Sequence, residues 1–282
     1  MTAVGLVSGI SASVLFNLGI ALQALEARAA PAALGLRPAL LIRLLERPRW
    51  LLGLLLGGLG ALLEVLAFAN APFIVIEPLL ASGLLLLLVL GSRLLGERIS
   101  GAVLIGVLAI IAGTALIAWG APAHSEHHRG GAAVVGVMAA MVAVSLIPFA
   151  VRGTRFDTAL VPNLGSACGF AATNVAAKLM ADNLGAGHYP RAGAWLAVAA
   201  FAGIAATITG MTALQRRPAT TVVPISTAVQ TFLPVALEPL FLTESWRSAE
   251  FDGAALLLGL AAMAAGTVLV SRTRAVAKLG GG

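Results

Sequence analysis

Nine long apolar runs, at approximately 3–25, 51–69, 72–95, 101–119, 132–151, 160–181, 193–214, 220–242 and 253–271, dominate the chain. Each is close to the roughly 20 residues a helix needs to cross a bilayer. Of the 282 residues only 11% are charged and 59% are hydrophobic, against roughly 25% charged in soluble domains, which excludes a water-soluble globule. No run alternates apolar and polar residues with the two-residue period of a membrane barrel. Helix is then the remaining way to satisfy a backbone in lipid. The expected fold is an all-α polytopic membrane protein with nine transmembrane helices. A net charge of +6 would suggest nucleic acid in a soluble protein, but here the basic residues fall in breaks between the runs. The expected partner is the lipid bilayer and not nucleic acid, with a homodimer as the oligomer to look for. Cys168 is the single cysteine, so no intrachain disulfide forms. The first 25 residues lack the basic n-region of a secretory signal and read as a retained helix.

Cytoplasmic loops carry the Lys and Arg excess, which fixes an orientation. With the N-terminus outside, the inner segments hold Arg28, Arg37, Arg43, Arg47, Arg49, Arg93, Arg98, Arg152, Arg155, Arg216, Arg217, Arg272, Arg274 and Lys278. The outer ones hold Arg129, Arg191 and Arg247, and Lys178 falls inside the sixth helix. A plasma-membrane protein with its N-terminus out and its C-terminus in follows. Within the segment 26–49, Leu40, Leu41, Leu44 and Leu45 have the spacing of an amphipathic helix lying in the interface.

An internal repeat runs through the chain. Pro72 and Pro78 match Pro218 and Pro224, both 146 residues on; Trp50 matches Trp195, Glu97 matches Glu244, and Ala112-Gly113-Thr114 matches Ala265-Gly266-Thr267. Helices two to four then correspond to helices seven to nine, a displacement of five. Five is odd, so the two copies cross the membrane in opposite senses. Such inverted-topology repeats can rock about a midplane site and expose it to either side. The halves are expected at 1–122 (helices one to four) and 132–282 (helices five to nine), joined by an external linker at 123–131.

The early proline, the helix-terminal glutamate in LLGER and FLTES and the glycine-punctuated last helix (IAGTALIA, AAGTVLVS) resemble the EamA-type repeat of the drug/metabolite transporter superfamily. More narrowly, the stretch from Trp50 through LAFANAPFIVIEPLLASG to LLGERIS resembles the NIPA-like magnesium transporter branch. Gly60, Ala67, Ala71, Pro72, Pro78 and Leu79 fall on that family's pattern, while Ala61 stands where it has Glu and Glu64 where it has Asn. The resemblance implies a secondary transporter of Mg²⁺ or another cation, and Lys178 in NVAAKLM is similar to a lysine of the corresponding helix in such transporters.

Ionisable residues inside the membrane mark functional sites by default, because a charge at the bilayer centre costs about 2.5–3.5 kcal/mol even on lenient scales. Four stand out: Glu64, Glu77, Lys178 and Glu238. At about 1.5 Å rise per residue, Glu64 and Glu77 both lie roughly 9–11 Å below the turn at Asn70 on neighbouring antiparallel helices. Lys178 and Glu238 are shallower and can snorkel. Asn17, Gln23, Asn174, Thr227 and Gln230 are the neutral polar groups that would complete a substrate site. Two chemistries fit. One is a divalent cation held by Glu64 and Glu77 through retained waters. The other is a proton site that couples export of a small metabolite, amino acid or drug to the proton gradient. Pro78 frees backbone groups beside Glu77. Glu97 and Glu244, at symmetric helix ends, read as scaffold groups that cap the next helix or pair with Arg93 or Arg98.

Other classes find little support. The loop with His124, Glu126, His127 and His128 reads as a linker, no phosphate loop or H-E-x-x-H motif occurs, and Ser166 has no intramembrane histidine to activate it. The chain is therefore expected to be no enzyme and to need no cofactor, with any energy drawn from a gradient.

Overall fold

The computed structural model describes residues 3–120, 131–241 and 253–272, and the side chains of Phe73 and 238–241 are outside the description. Nine long helices form over these residues: α1 Ala3–Ala29, α3 Pro48–Asn70, α4 Phe73–Leu94, α5 Gly101–Gly120, α6 Gly131–Ala150, α7 Val161–Gly185, α8 Tyr189–Arg216, α9 Ala219–Phe241 and α10 Ala254–Arg272. A short α2, Pro38–Leu45, follows a 3-10 turn at Ala32–Leu34. No strand occurs among the described residues. Eight of the long helices are long and apolar enough to cross a membrane; α7 is not among them. Asn163, Thr173, Asn174, Lys178 and Asp182 all fall on α7 and lower its hydropathy. Of the linker expected at 123–131, Gly131 is instead the first residue of α6, and the rest, with the histidine loop, Glu244 and Arg247, lies outside the described residues.

Prolines start several of these helices. Pro38 and Pro48 open α2 and α3, and Pro72 is the N-cap of α4, where the absent amide hydrogen is no loss and the fixed φ suits a first turn. Large side chains on the outer face of α3 stay uncovered: Leu55, Leu62 and Val65 are 70%, 69% and 68% exposed. Such a face is stable only against lipid.

Between helices, small residues set the distances, as is usual where lipid removes the hydrophobic drive for association. A Cβ on Gly19 of α1 would lie 2.6 Å from Gly53 O of α3, and one on Gly53 would lie 2.6 Å from Gly19 O. On the α5–α10 seam, Cβ atoms added to Gly106 and Gly113 would come within 2.9 and 2.7 Å of Gly266 O and Gly259 O. Each glycine pair is seven residues apart, so the two helices run antiparallel with two turns in register. α1 packs on α3 and α4, and α7 packs on α8 and α9 in the same way; α4 and α9 pack on α5 and α10 respectively.

One end of the bundle collects the C-termini of α1, α4 and α8, the N-termini of α3 and α9, and α2. Here Ala24, Ala27, Leu40, Leu44, Trp50, Met211, Leu214, Ala219 and Val222 form a single buried cluster. The leucines expected in the lipid interface thus divide: Leu40 and Leu44 are fully buried in protein, and Leu45 is exposed. The reason is a tertiary partner. The Leu36 amide donates to Thr212 Oγ1 at 2.9 Å and ties the segment before α2 to α8. Arginines crowd the rim of this end, among them Arg28, Arg43, Arg47, Arg216 and Arg217.

Candidate functional site

A cavity of about 480 Å³ lies among α1, α3, α4, α5, α7, α8 and α9. Glu64 and Glu77 both line it, from helices that otherwise scarcely touch. Asn17 and Gln23 reach it from α1, Asn174 from α7, and Thr227 and Gln230 from α9. Phe16, Phe170, Leu80 and Leu84 supply apolar wall. Pro78 sits within the continuous helix α4, directly after Glu77.

One expected member is placed otherwise, and one falls outside the description. Lys178 does not line the cavity; its side chain is 60% exposed and pairs with Asp182 at 3.4 Å. α7 continues past 181 to Gly185, which keeps Asp182 helical and one turn from the lysine. Glu238 is on the last turns of α9, and its side chain lies outside the described residues.

Several groups that the sequence did not single out for the site complete the lining, and their protons are already directed elsewhere. Ser166 Oγ donates to Ala206 O at 2.9 Å, Thr114 Oγ1 to Ile110 O at 3.0 Å, and Ser226 Oγ to Asn163 Oδ1 at 2.6 Å. A hydroxyl has one proton, so these three oxygens offer only lone pairs to the cavity. Asn163 is fully buried and holds Ser226 from α7; its Nδ2 has no hydrogen-bond partner among the described residues. Asn17 Nδ2 donates to Ser13 O at 2.7 Å, which leaves Oδ1 as an acceptor. Gly83 of α4 makes this fit, because a Cβ there would collide with Asn17 Nδ2 and Ser13 Oγ. A local sequence signal for these orientations exists only for Asn17 and Thr114, whose acceptors lie four residues back on their own helices.

Glu97 caps a helix, but not the next one, α5, as expected, and its partners are ones that the sequence did not reveal. It does not pair with Arg93 or Arg98. Its carboxylate accepts the Ala219 and Thr220 amides at 2.7 and 2.9 Å and the Thr220 hydroxyl at 2.5 Å, capping α9, and it pairs with Arg28 of α1. On the same end, Asp157 accepts from Arg216 at 2.5 Å, and that hydrogen bond, with a second from the Gly153 amide, holds its carboxyl below the usual range. No group of three or more His, Cys, Asp or Glu suited to a resident metal occurs among the described residues.

Apolar helices around an internal, carboxylate-lined cavity define a multi-pass membrane protein. The family model described as "Magnesium transporter NIPA" matches residues 2–151, more than half of the chain, and the protein belongs to that family of membrane transporters. The match takes in Asn17, Gln23, Glu64 and Glu77 and ends at the α6 boundary, so Asn174, Thr227 and Gln230 lie beyond it. No curated protein and no solved structure matches the chain.

Proposed function

We propose that the protein is a secondary carrier of a hydrated divalent cation, Mg²⁺, across the plasma membrane, and that Glu64 and Glu77 hold the ion in the cavity. The observation that carries this reading is the polarity of the lining. Two carboxylates and three hydroxyl oxygens whose protons are committed to protein acceptors face one space. No Lys, Arg or His lines the cavity among the described residues, so an anion would meet no positive charge there, whereas a cation meets two carboxylates. Mg²⁺ dehydrates reluctantly and keeps several waters on one or two carboxylates. At roughly 30 Å³ of liquid per water, about 480 Å³ accommodates an ion with its inner hydration shell.

Alternating access is supported by the α5–α10 seam. With an offset of 153 residues, Gly106 corresponds to Gly259 and Gly113 to Gly266. The contacts Gly106–Gly266 and Gly113–Gly259 therefore exchange with one another under that correspondence, as they do in a twofold, self-complementary interface. The 146-residue offset of Pro72 and Pro218 pairs α3 with α8 and α4 with α9, and supports reading the two sets α1–α5 and α6–α10 as an inverted repeat around the cavity. By the positive-inside rule the arginine-rich end is cytoplasmic, which puts the N-terminus outside.

A second reading has its own observation: Phe16 and Phe170 on the cavity wall would suit an organic cation or amphiphilic metabolite exchanged for protons. Uptake of Mg²⁺ into proteoliposomes, with and without an imposed pH gradient, separates the two. Saturable uptake lost in Glu77→Gln and Glu64→Gln supports the Mg²⁺ carrier. Absence of Mg²⁺ flux, with proton-driven exchange of organic cations, supports the alternative.

A further inference from the structure

We propose that Glu97 is the gate residue of the arginine-rich end: its cap on α9 holds the cavity shut on that side, and its release accompanies opening. The proposal rests on the alternating-access reading and not on the identity of the cargo.

The side chain of Glu97 is 4% exposed, yet it follows a helix end where carboxylates are ordinarily solvated. It is placed by the turn after α4, where Gly96 takes φ 65° and the Leu95 and Glu97 amides both return to Gly91 O. From there it reaches across to the first turn of α9, whose free amides and positive dipole end favour an anion. Three donors from Ala219 and Thr220 converge on it, and Arg28 of α1 closes the charge. The groups it fastens adjoin the cavity floor. Val222 and Val223, one turn further along α9, line the cavity, and so does Leu214, whose carbonyl accepts from Arg28 Nε at 3.4 Å.

The tie also spans the two helix sets that must separate. Glu97 and Arg28 come from α1–α5 and its immediate turn; Ala219, Thr220 and Leu214 come from α8 and α9. The apolar cluster around Trp50, Met211 and Leu214 can slide, since its contacts are non-directional. A buried carboxylate with three hydrogen bonds and an ion pair cannot do so gradually, because each bond lost leaves a buried charge unpaired. One discrete polar contact in a greasy seam is what makes an opening two-state. Gly91 supplies a way to test this without touching a charge, because a Cβ at that position would collide with the Thr220 methyl.

The chain's single cysteine makes access easy to read. Val222→Cys in a Cys168→Ser background places one thiol on the floor, where the native side chain is 3% exposed. In proteoliposomes of defined orientation, a membrane-impermeant maleimide applied from the arginine-rich side is expected to label the parent slowly. Glu97→Ala is expected to raise that rate at least about tenfold and to lower labelling from the opposite side. Gly91→Ala, which keeps every charge, is expected to shift access in the same direction, and Arg28→Gln, which keeps the cap, to do so more weakly. A rate within twofold of the parent in Glu97→Ala, or an equal rise from both sides, overturns the proposal; if that variant does not fold, Gly91→Ala decides by the same criterion. Labelling does not depend on cargo, so this result stands apart from the outcome of the Mg²⁺ uptake assay.

Discussion

Glu64 of α3 and Glu77 of α4 open onto one cavity, although the two helices scarcely touch and are joined only by the turn at Ala71 and Pro72. α1 packs on both helices, and each carboxylate lines the cavity, where it is available to a ligand.

If the pair holds Mg²⁺, the ion is expected to stabilise the folded protein. A ligand at a hundredfold its dissociation constant adds about 2.7 kcal/mol to unfolding free energy. Thermal melting in detergent is expected to rise with Mg²⁺ and not with the same ionic strength of Na⁺. Glu77→Gln and Glu64→Gln are each expected to weaken the apparent affinity about tenfold or more, in keeping with loss of a charged partner. Stabilisation of equal size in both Gln variants would place the ion elsewhere.

Lys178 is expected to be dispensable. An exposed i,i+4 pair contributes about 0.3–0.5 kcal/mol at most, and Lys178 lies outside the lining. Lys178→Met is expected to leave uptake within twofold of wild type; a loss comparable to Glu77→Gln would put the lysine back in the site.

Glycines on the helix seams are expected to be intolerant, and those on open faces tolerant. Gly113→Ala would bring a methyl within 2.7 Å of Gly259 O, while Gly136→Ala meets nothing within 4 Å. The first is expected to destabilise by about 1–3 kcal/mol, as overpacking does, and the second to be neutral or slightly stabilising. Melting temperatures of the two variants in detergent check this directly.

At the arginine-rich surface, acid is expected to loosen the loop between α6 and α7. Arg216 lowers the Asp157 carboxyl below its unfolded value, so this contribution to stability is fully present above the ordinary carboxylate range and is lost as pH falls through the lowered folded value. Proteolysis at Arg152 or Arg155 should accelerate on acidification in the wild type. Asp157→Asn should show fast cleavage already at neutral pH, with little further change.

Much of this architecture is legible in the sequence because lipid imposes one rule on every segment. Apolar length marks the helices, and Pro38, Pro48, Pro72 and the basic breaks mark their ends. Glu64 and Glu77 are visible for the same reason, as charges that lipid would exclude. What escapes is anything decided by the far side of a contact. Lys178 has the right type and depth, but α7 runs one turn longer than apolarity alone indicates, and Asp182 takes the lysine. Glu97 is legible as a helix-capping carboxylate, but the helix it caps is α9, with partners 122 and 123 residues away, and not the one that follows it. Ser166 looks like an isolated serine until Ala206 O orients its hydroxyl, and Ser226 depends likewise on Asn163.

The measurement that bears most directly on the function is Mg²⁺ flux into proteoliposomes loaded with a Mg²⁺-sensitive dye, comparing wild type with Glu77→Gln of equal insertion and monodispersity. Saturable, protein-dependent influx that Glu77→Gln reduces at least about tenfold is the result expected of a carrier whose cargo sits on this carboxylate. Influx no greater than in empty liposomes from well-folded wild type, across imposed Mg²⁺ and pH gradients, would contradict it.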